Sequence, residues 1–451
     1  MSTEYRAEFN RTLRLALPIV GTQLSVFTMG LVDMIMVGSL GEVAIGSVGV
    51  GNAIFMPIVF LFAGVLMALD AIVGHHTGAR DDGKSGVDLW QGYWFALFTG
   101  IPLTLLFWDA GWIAEVLGQT PAVVTETAAY LDGRALAAFT TIAFTAQRGF
   151  LSGLGDTRSV LIASLFANLA NIIADWALIH GNLGAPALGV EGAGIASSIS
   201  MAVLFGVGTL LVHQKKYRDR CGTLFHALHG QRMRAILGLG VPMGLHVTVE
   251  MAGFSFLTIL AGWMGEASLA PHQIAMTLVS ATFMVPLGIS SAASVRVSQC
   301  MGANDPRGAA IAGRVALALA ASFMACGAIL FLTIPSSLVV PFTRDPVLIA
   351  GTVTLVQLAG VFQISDGLQV VAAGCLRGIG NTRLPLFVNL VAFWCLGIPL
   401  GGWLGFEQQM GPPGLWAGLI VALTLVAAVL TVRFLRDTPP PGIGSAPLQS
   451  R

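Results

Sequence analysis

Residues Pro18 to Asp81 recur 224 positions later without insertion or deletion. Pro18 falls on Pro242, Gly41-Glu42-Val43-Ala44 returns as Gly265-Glu266-Ala267-Ser268, and Gly78-Ala79 returns as Gly302-Ala303. Further on, Gly153-Leu154-Gly155-Asp156-Thr157-Arg158 returns as Gly378-Ile379-Gly380-Asn381-Thr382-Arg383 at an offset of 225. An echo this regular requires two structural halves of one architecture.

The solvent of those halves is lipid. Of 451 residues, 55% are hydrophobic and only 10% charged, with mean hydropathy +0.79, whereas soluble domains carry about 25% charged residues. Stretches such as Ile54–Leu69, Ala96–Phe107, Ile311–Ile334 and Leu415–Val432 are continuously apolar. Continuous runs suit helices crossing a core of about 30 Å; a barrel would alternate. About six such segments fall in each half, near 12–38, 46–74, 90–108, 128–150, 159–180, 192–213, 236–262, 270–297, 313–334, 348–374, 385–404 and 414–434. The fold class is thus all-α and membrane-spanning, with about twelve helices in two six-helix lobes. The lobes are expected over 1–213 and 236–434, with an inter-lobe loop at 214–235 and a disordered tail at 435–451. A duplicated half in so apolar a chain marks a secondary transporter.

Basic residues set the orientation. Arg6, Arg11 and Arg14 precede the first span, Arg80 and Lys84 follow the second, and Lys215, Lys216, Arg218, Arg220, Arg232 and Arg234 crowd the central loop. Of 23 Lys and Arg, only Arg134 and Arg344 fall near the opposite face. The positive-inside rule therefore places both termini and the central loop in the cytoplasm. The first span, with Pro18 and Asp33, is too long and too polar for a cleavable signal. Cys221, Cys300, Cys326, Cys375 and Cys395 show no paired spacing, which predicts free thiols.

Motifs of soluble enzymes are absent. No P-loop suggests ATP hydrolysis, and no catalytic residue or bound cofactor is expected. Adjacent His75 and His76 point in different directions on a helix and do not make a metal pair. The chemistry is left to the acids inside the spans: Asp33, Asp70, Asp175, Glu250 and Asp366. A charge at the bilayer centre costs roughly 2.5–3.5 kcal/mol on insertion scales, so each is a functional candidate. Asp70, near the end of its span, reads more readily as a packing or water-facing acid. Asn171 and Asp175 are four apart and share a helical face with Asn168 one turn before Asn171. An amide oxygen beside a carboxylate suits a desolvated small cation or a proton relay, or else a ladder of interhelical hydrogen bonds.

The phrases Leu31-Val32-Asp33-Met34-Ile35-Met36-Val37-Gly38, Ala270-Pro271-His272-Gln273-Ile274-Ala275 and Asp366-Gly367-Leu368-Gln369-Val370-Val371-Ala372-Ala373-Gly374-Cys375-Leu376-Arg377-Gly378 resemble the multidrug and toxic compound extrusion (MATE) transporters, NorM-type branch. The resemblance runs from about Leu13 to Arg433. It implies two six-helix lobes in a V and export of amphipathic, often cationic small molecules in exchange for inward H⁺ or Na⁺. A bacterial inner-membrane protein is implied, surrounded by lipid, acting as a monomer and binding no nucleic acid. Asp33 falls on the family's first-helix carboxylate, Asn171 and Asp175 on its fifth-helix cation ligands, and Ser197 where a threonine is common. Na⁺ would sit at Asp33, Asn171 and Asp175. Glu250 and Asp366 fall on the second-lobe acids, which serve coupling or substrate. Two departures bear on the ion: Phe362 replaces a tyrosine of some Na⁺-coupled relatives, and Asp175 replaces an asparagine. Like charges in one apolar site cannot both ionise easily, which favours H⁺. A lipid-linked precursor flippase of the same superfamily, and an ion channel, stay as alternatives.

Overall fold

The computed structural model describes residues 3–438, the side chain of Glu266 excepted. The described residues are helical almost throughout, without a β-strand. Twelve long helices follow one another: α1 (Thr3–Gly38), α2 (Glu42–Gly78), α3 (Gly83–Phe107), α4 (Pro121–Gly153), α5 (Thr157–His180), α6 (Val190–Val212), α7 (Gly230–Trp263), α8 (Glu266–Gly302), α9 (Pro306–Thr333), α10 (Pro346–Gly378), α11 (Arg383–Glu407) and α12 (Pro412–Asp437). Each expected span falls on one of them. Ten are long and apolar enough to cross a membrane. The other two, α3 and α4, carry more polar side chains, among them Lys84, Asp88 and Gln91, and Glu126, Asp132, Arg134 and Arg148. Two boundaries differ from expectation. The central loop contains a helix at Lys215–Cys221 and ends where α7 begins at Gly230, and α12 runs to Asp437, past the expected start of the tail. Residues 439–451 lie outside the described residues.

The repeat reappears as matched helix ends. Both ends of α2 map onto α8 by 224 (42 + 224 = 266; 78 + 224 = 302), and both ends of α4 map onto α10 by 225 (121 + 225 = 346; 153 + 225 = 378). Local chemistry explains the ends. Gly41 and Gly265, repeat mates before α2 and α8, sit at φ 106° and 97°, which side chains with a Cβ rarely adopt. Prolines begin α4, α9, α10 and α12, where a missing N–H is harmless. Asp156, Asp305 and Asp345 accept the free N–H groups of Ser159, Gly308 and Val347.

Helix α5 shows the inverted pattern that lipid imposes. Its buried residues include Ala163, Ser164, Ala167, Asn171, Ala174 and Asp175, while Leu165, Phe166, Leu169, Ile172 and Ile173 are exposed. In water such a face would be a liability. Against hydrocarbon it is free, and small residues let helix backbones approach.

The chain divides into two compact units, Gly21–Gly244 and Met1–Val20 with Leu245–Arg451. The boundaries are not the expected lobe boundaries, because α1 and α7 each belong partly to both units. Ala16 and Ile19 pack in the core of the C-terminal unit, and Ile236 in that of the N-terminal unit. The two crossover points are themselves repeat mates (20 + 224 = 244), each just after a proline, Pro18 or Pro242. A proline inside a helix removes a backbone hydrogen bond and permits bending there. Close backbone packing holds both segments: a Cβ on Gly64 would meet Gly244 Cα at 2.7 Å, and one on its mate Gly288 would meet Val20 N at 2.8 Å.

Ion pairs tie the outer ends of the same segments. Arg296 of α8 grips Glu8 of α1 with Nε and an Nη at 2.7 and 2.8 Å. At the repeat mate of Glu8 stands Arg232 (8 + 224 = 232), which meets Asp88 at 3.6 Å and His76 at 3.2 Å, while His76 Nε2 lies 2.9 Å from Asp88. The segment before α7 is strapped to α3 by Trp90, Gln91 and Trp94, which donate to the carbonyls of Thr223, Ala227 and His226.

Candidate functional site

In the N-terminal unit, four of the expected site residues come together by pairs. Asp33 stands near the Gly38 end of α1 and Asp175 near the His180 end of α5, both buried. The Ser197 hydroxyl on α6 donates to Asp33 Oδ2 at 3.3 Å. Asp175 stands close enough to Asp33 to feel its charge, and two carboxyls can share a hydrogen bond only around a proton. Asp33 Oδ1, both Asp175 oxygens and both polar atoms of the Asn171 amide are buried without a hydrogen-bond partner among the described residues. Asn171 is fully buried one turn from Asp175 on the same face of α5. Buried polar atoms left in this way are rare and point to function. The donor set, carboxylate and amide oxygens, fits either a proton or a hard cation. Asn168 plays another part: it donates to Ser25 O at 2.9 Å and ties α5 to α1.

The sequence did not single out the polar groups of α4. Tyr130 of α4 is fully buried, and its hydroxyl donates to Asn52 Oδ1 at 3.4 Å. Arg134, one turn further along α4, donates through one Nη to the Tyr130 hydroxyl and to Asn52 Oδ1, the latter at 2.5 Å. Its guanidinium lies over the rings of Phe55 and Tyr130, 4.6 and 5.4 Å from their centroids. Arg134 is buried inside the unit, 9% exposed. One signal was available: Tyr130 is one of only four tyrosines, and Arg134 follows it at helical spacing.

The C-terminal unit brings together the other two expected residues. Gln369 of α10 donates to Glu250 Oε1 of α7 at 2.7 Å, and Asp366, one turn before Gln369, feels the charge of Glu250. All three are buried or nearly so. His246, one turn before Glu250, contacts the Asn389 amide at 3.0 Å. Immediately beyond Asn389, α11 is wound as π-helix over Val391–Gly397 and again over Trp403–Glu407. Such stretches are uncommon and often mark functional sites. Ser365 faces Thr424 instead of the acids. Phe362 is fully buried against Trp416 and offers no oxygen. No group of three His, Cys, Asp or Glu among the described residues could hold a metal ion.

Comparison with known proteins follows the repeat. The MatE family model matches residues 18–177 and 242–403, stretches that begin at Pro18 and Pro242. The chain is 35% identical over 442 residues to the multidrug resistance protein PmpM of Pseudomonas aeruginosa, covering 96% of this chain and 92% of that protein. It is 31% identical to the multidrug resistance protein NorM of Aliivibrio fischeri over 437 residues, with 96% and 95% covered. Among solved structures, a MATE transporter in complex with MaL6 superposes with a TM-score of 0.87 at 19% identity, covering 97% of this chain and all of that one. The eukaryotic MATE transporter AtDTX14 superposes at 0.84 and 22% identity, covering 96% of this chain and 98% of that one. At such identities the structures speak for the fold alone.

Proposed function

The chain belongs to the MATE family, and from that premise we propose that it exports amphipathic, often cationic small molecules across a bacterial inner membrane in exchange for inward protons. Relatives named as multidrug resistance proteins over nearly their whole length support the substrate class. The observation that carries the coupling is the Asp33–Asp175 pair. One proton there satisfies two buried carboxyls at once, and its loss leaves two like charges in an apolar interior. A proton arriving from outside would cancel the charge that favours a cationic substrate and bias the protein toward the state that releases it, by as much as its affinity differs between the states. Glu250, Gln369 and Asp366 form a second acidic site that serves coupling or substrate. With the basic residues on the inner side, both termini lie in the cytoplasm, and the chain works as a monomer in the bilayer.

The test is efflux of a lipophilic cationic dye in proteoliposomes with pH and Na⁺ gradients imposed independently. The parent should respond to the pH gradient, and Asp33→Asn should lose gradient-driven efflux while still binding dye. Retained efflux by Asp33→Asn would move coupling to Glu250 and Asp366.

A further inference from the structure

The acid pair lies between two ties that fasten α1 to α5. The inner tie has three bonds: the Ser25 hydroxyl donates to Ser164 O at 3.3 Å, and Asn168 donates to Ser25 O and Oγ at 2.9 and 3.2 Å. The outer tie has one: Ser39 Oγ and His180 Nε2 lie 3.0 Å apart. Ser39 Oγ also lies 2.8 Å from Met36 O, which can only accept, so the serine hydrogen goes there. His180 Nε2 must therefore carry a hydrogen and donate it to Ser39. The contacts keep register along both helices (168 − 25 = 143; 175 − 33 = 142; 180 − 39 = 141), so α1 and α5 run side by side in the same direction. At a rise of about 1.5 Å per residue, the outer tie stands roughly 7.5–9 Å beyond the acids. Ser25 is buried, whereas Ser39 and His180 are both exposed at the helix ends.

We propose that the coupling ion reaches the acid pair between the outer ends of α1 and α5, and that the Ser39–His180 bond is the gate on that route. With both termini in the cytoplasm, these ends face the outside, from which the ion comes. One exposed hydrogen bond shifts an equilibrium by about tenfold at most, so the outer tie opens readily while the inner tie holds the helices together. The loops beyond the gate, 39–41 and 181–189, carry no charge. The charged groups that flank it are Asp33 on α1, Asp175 on α5, Glu42 at the start of α2 and Glu191 at the start of α6, with Asp132 of α4 in the field of Glu191. All are acids, and no ion pair to His180 occurs among the described residues. Histidine changes charge across the physiological range, and a charged donor makes a bond about twice as strong. The gate therefore closes more firmly as the outside turns acid, which limits how often a loaded pair is exposed again to the side that loaded it. The device belongs to this unit alone: the positions related to Ser39 and His180 are Trp263 and Gly405 (39 + 224; 180 + 225), which cannot make the bond.

The inference rests on the reading that the Asp33–Asp175 pair binds the coupling ion, but its test needs no transport. Ser197, 3% exposed beside Asp33, serves as the reporter: Ser197→Cys is made in the full chain with its five native cysteines replaced, and an impermeant thiosulfonate is added outside proteoliposomes. The ratio of a gate variant's labelling rate to that of the reporter protein at the same pH cancels the thiol's own titration. Ser39→Ala and His180→Ala should each label about three- to fivefold faster at neutral pH, and about tenfold faster at about pH 5.5, where the intact gate is charged. The double variant should label no faster than either single one, because both remove the same bond. His180→Gln, which keeps a donor and loses the charge, should match the reporter protein at neutral pH and label faster in acid. Unchanged rates in Ser39→Ala and His180→Ala overturn the inference, since the pair is then reached by another route. A ratio that does not rise in acid overturns it too, as do gains that multiply in the double variant. Should one single variant fail to fold, the other decides alone. Retained gradient-driven efflux in Asp33→Asn would overturn the coupling reading and leave the gate in place.

Discussion

The two units share a frame and differ where their acids stand. The N-terminal unit places carboxylates on α1 and α5, the C-terminal unit on α7 and α10. The repeat mate of Asp33 is Leu257 (33 + 224), and those of Asn171 and Asp175 are Leu396 and Leu400 (171 + 225; 175 + 225). Conversely, Glu250 corresponds to Val26 (250 − 224), and Asp366 to Thr141 (366 − 225). No acid of one site has an acid as its mate in the other. Duplication preserved what packing demands, namely the glycine contacts, the helix ends and the crossover points. Polar chemistry was free to move from one pair of helices to another, because a buried acid depends on its few immediate partners and not on the whole frame. The partners differ accordingly: in one unit Asp175 feels the charge of Asp33, which accepts from Ser197, while in the other the amide of Gln369 donates to Glu250, whose charge Asp366 feels.

That contrast predicts unequal losses of transport. Asp33→Asn should reduce gradient-driven efflux by roughly 100-fold, and Glu250→Gln or Asp366→Asn by roughly five- to tenfold, within the span of ordinary coupling energies. The amides are nearly isosteric, so all three variants should remain folded in detergent. Equal losses at the two sites would break the distinction drawn between them, and parental rates in both second-site variants would make those acids structural.

The ion pairs that hold the crossover segments offer a second, smaller contrast. Glu8→Ala leaves Arg296, whose side chain is only 14% exposed, with the Gln299 oxygen but no carboxylate, and breaking a buried pair costs about 3–5 kcal/mol. Arg232→Ala leaves Asp88 with His76 as a partner, so the loss should be nearer about 1 kcal/mol. Thermal unfolding in detergent measures both. A larger fall in Tm for Arg232→Ala would mean that the pair on α1 is the weaker fastening.

The smallest effect concerns the caps before α5 and α11. Asp156 and Asn381 are repeat mates (156 + 225 = 381), and each side-chain oxygen accepts a backbone N–H three residues on. Partial burial alone would raise the Asp156 carboxyl, but hydrogen bonds from Tyr217, Lys216 and Ser159 bring it below its ordinary value. Its stabilisation is therefore complete above the usual carboxylate range and is lost as pH falls through the lowered value. Burial and Asp156 push the Tyr217 hydroxyl up to about 12, so it stays a donor throughout. Tyr217→Phe should cost about 1 kcal/mol at neutral pH and progressively less in acid, whereas Asn381→Ala should cost about 1 kcal/mol with no such dependence. A Tyr217→Phe penalty constant down to acid pH would remove Asp156 from the account.

Much of this molecule is written along the chain. The offset of 224 and the continuous apolar runs foretold twelve helices in two related sets, since hydropathy is a property of a segment and its near neighbours. The buried acids were legible too, because Asp33, Asp175, Glu250 and Asp366 are expensive anywhere in an apolar span. What faces them was not. Neither Arg134 and Tyr130 nor Gln369 stood out, because contacts between helices join residues far apart in the sequence. The exchange of α1 and α7 between units was equally hidden, although Pro18 and Pro242 marked both places. A proline says where a helix can bend, but only the close approach of Gly64 to Gly244 and of Gly288 to Val20 decides which body each segment joins.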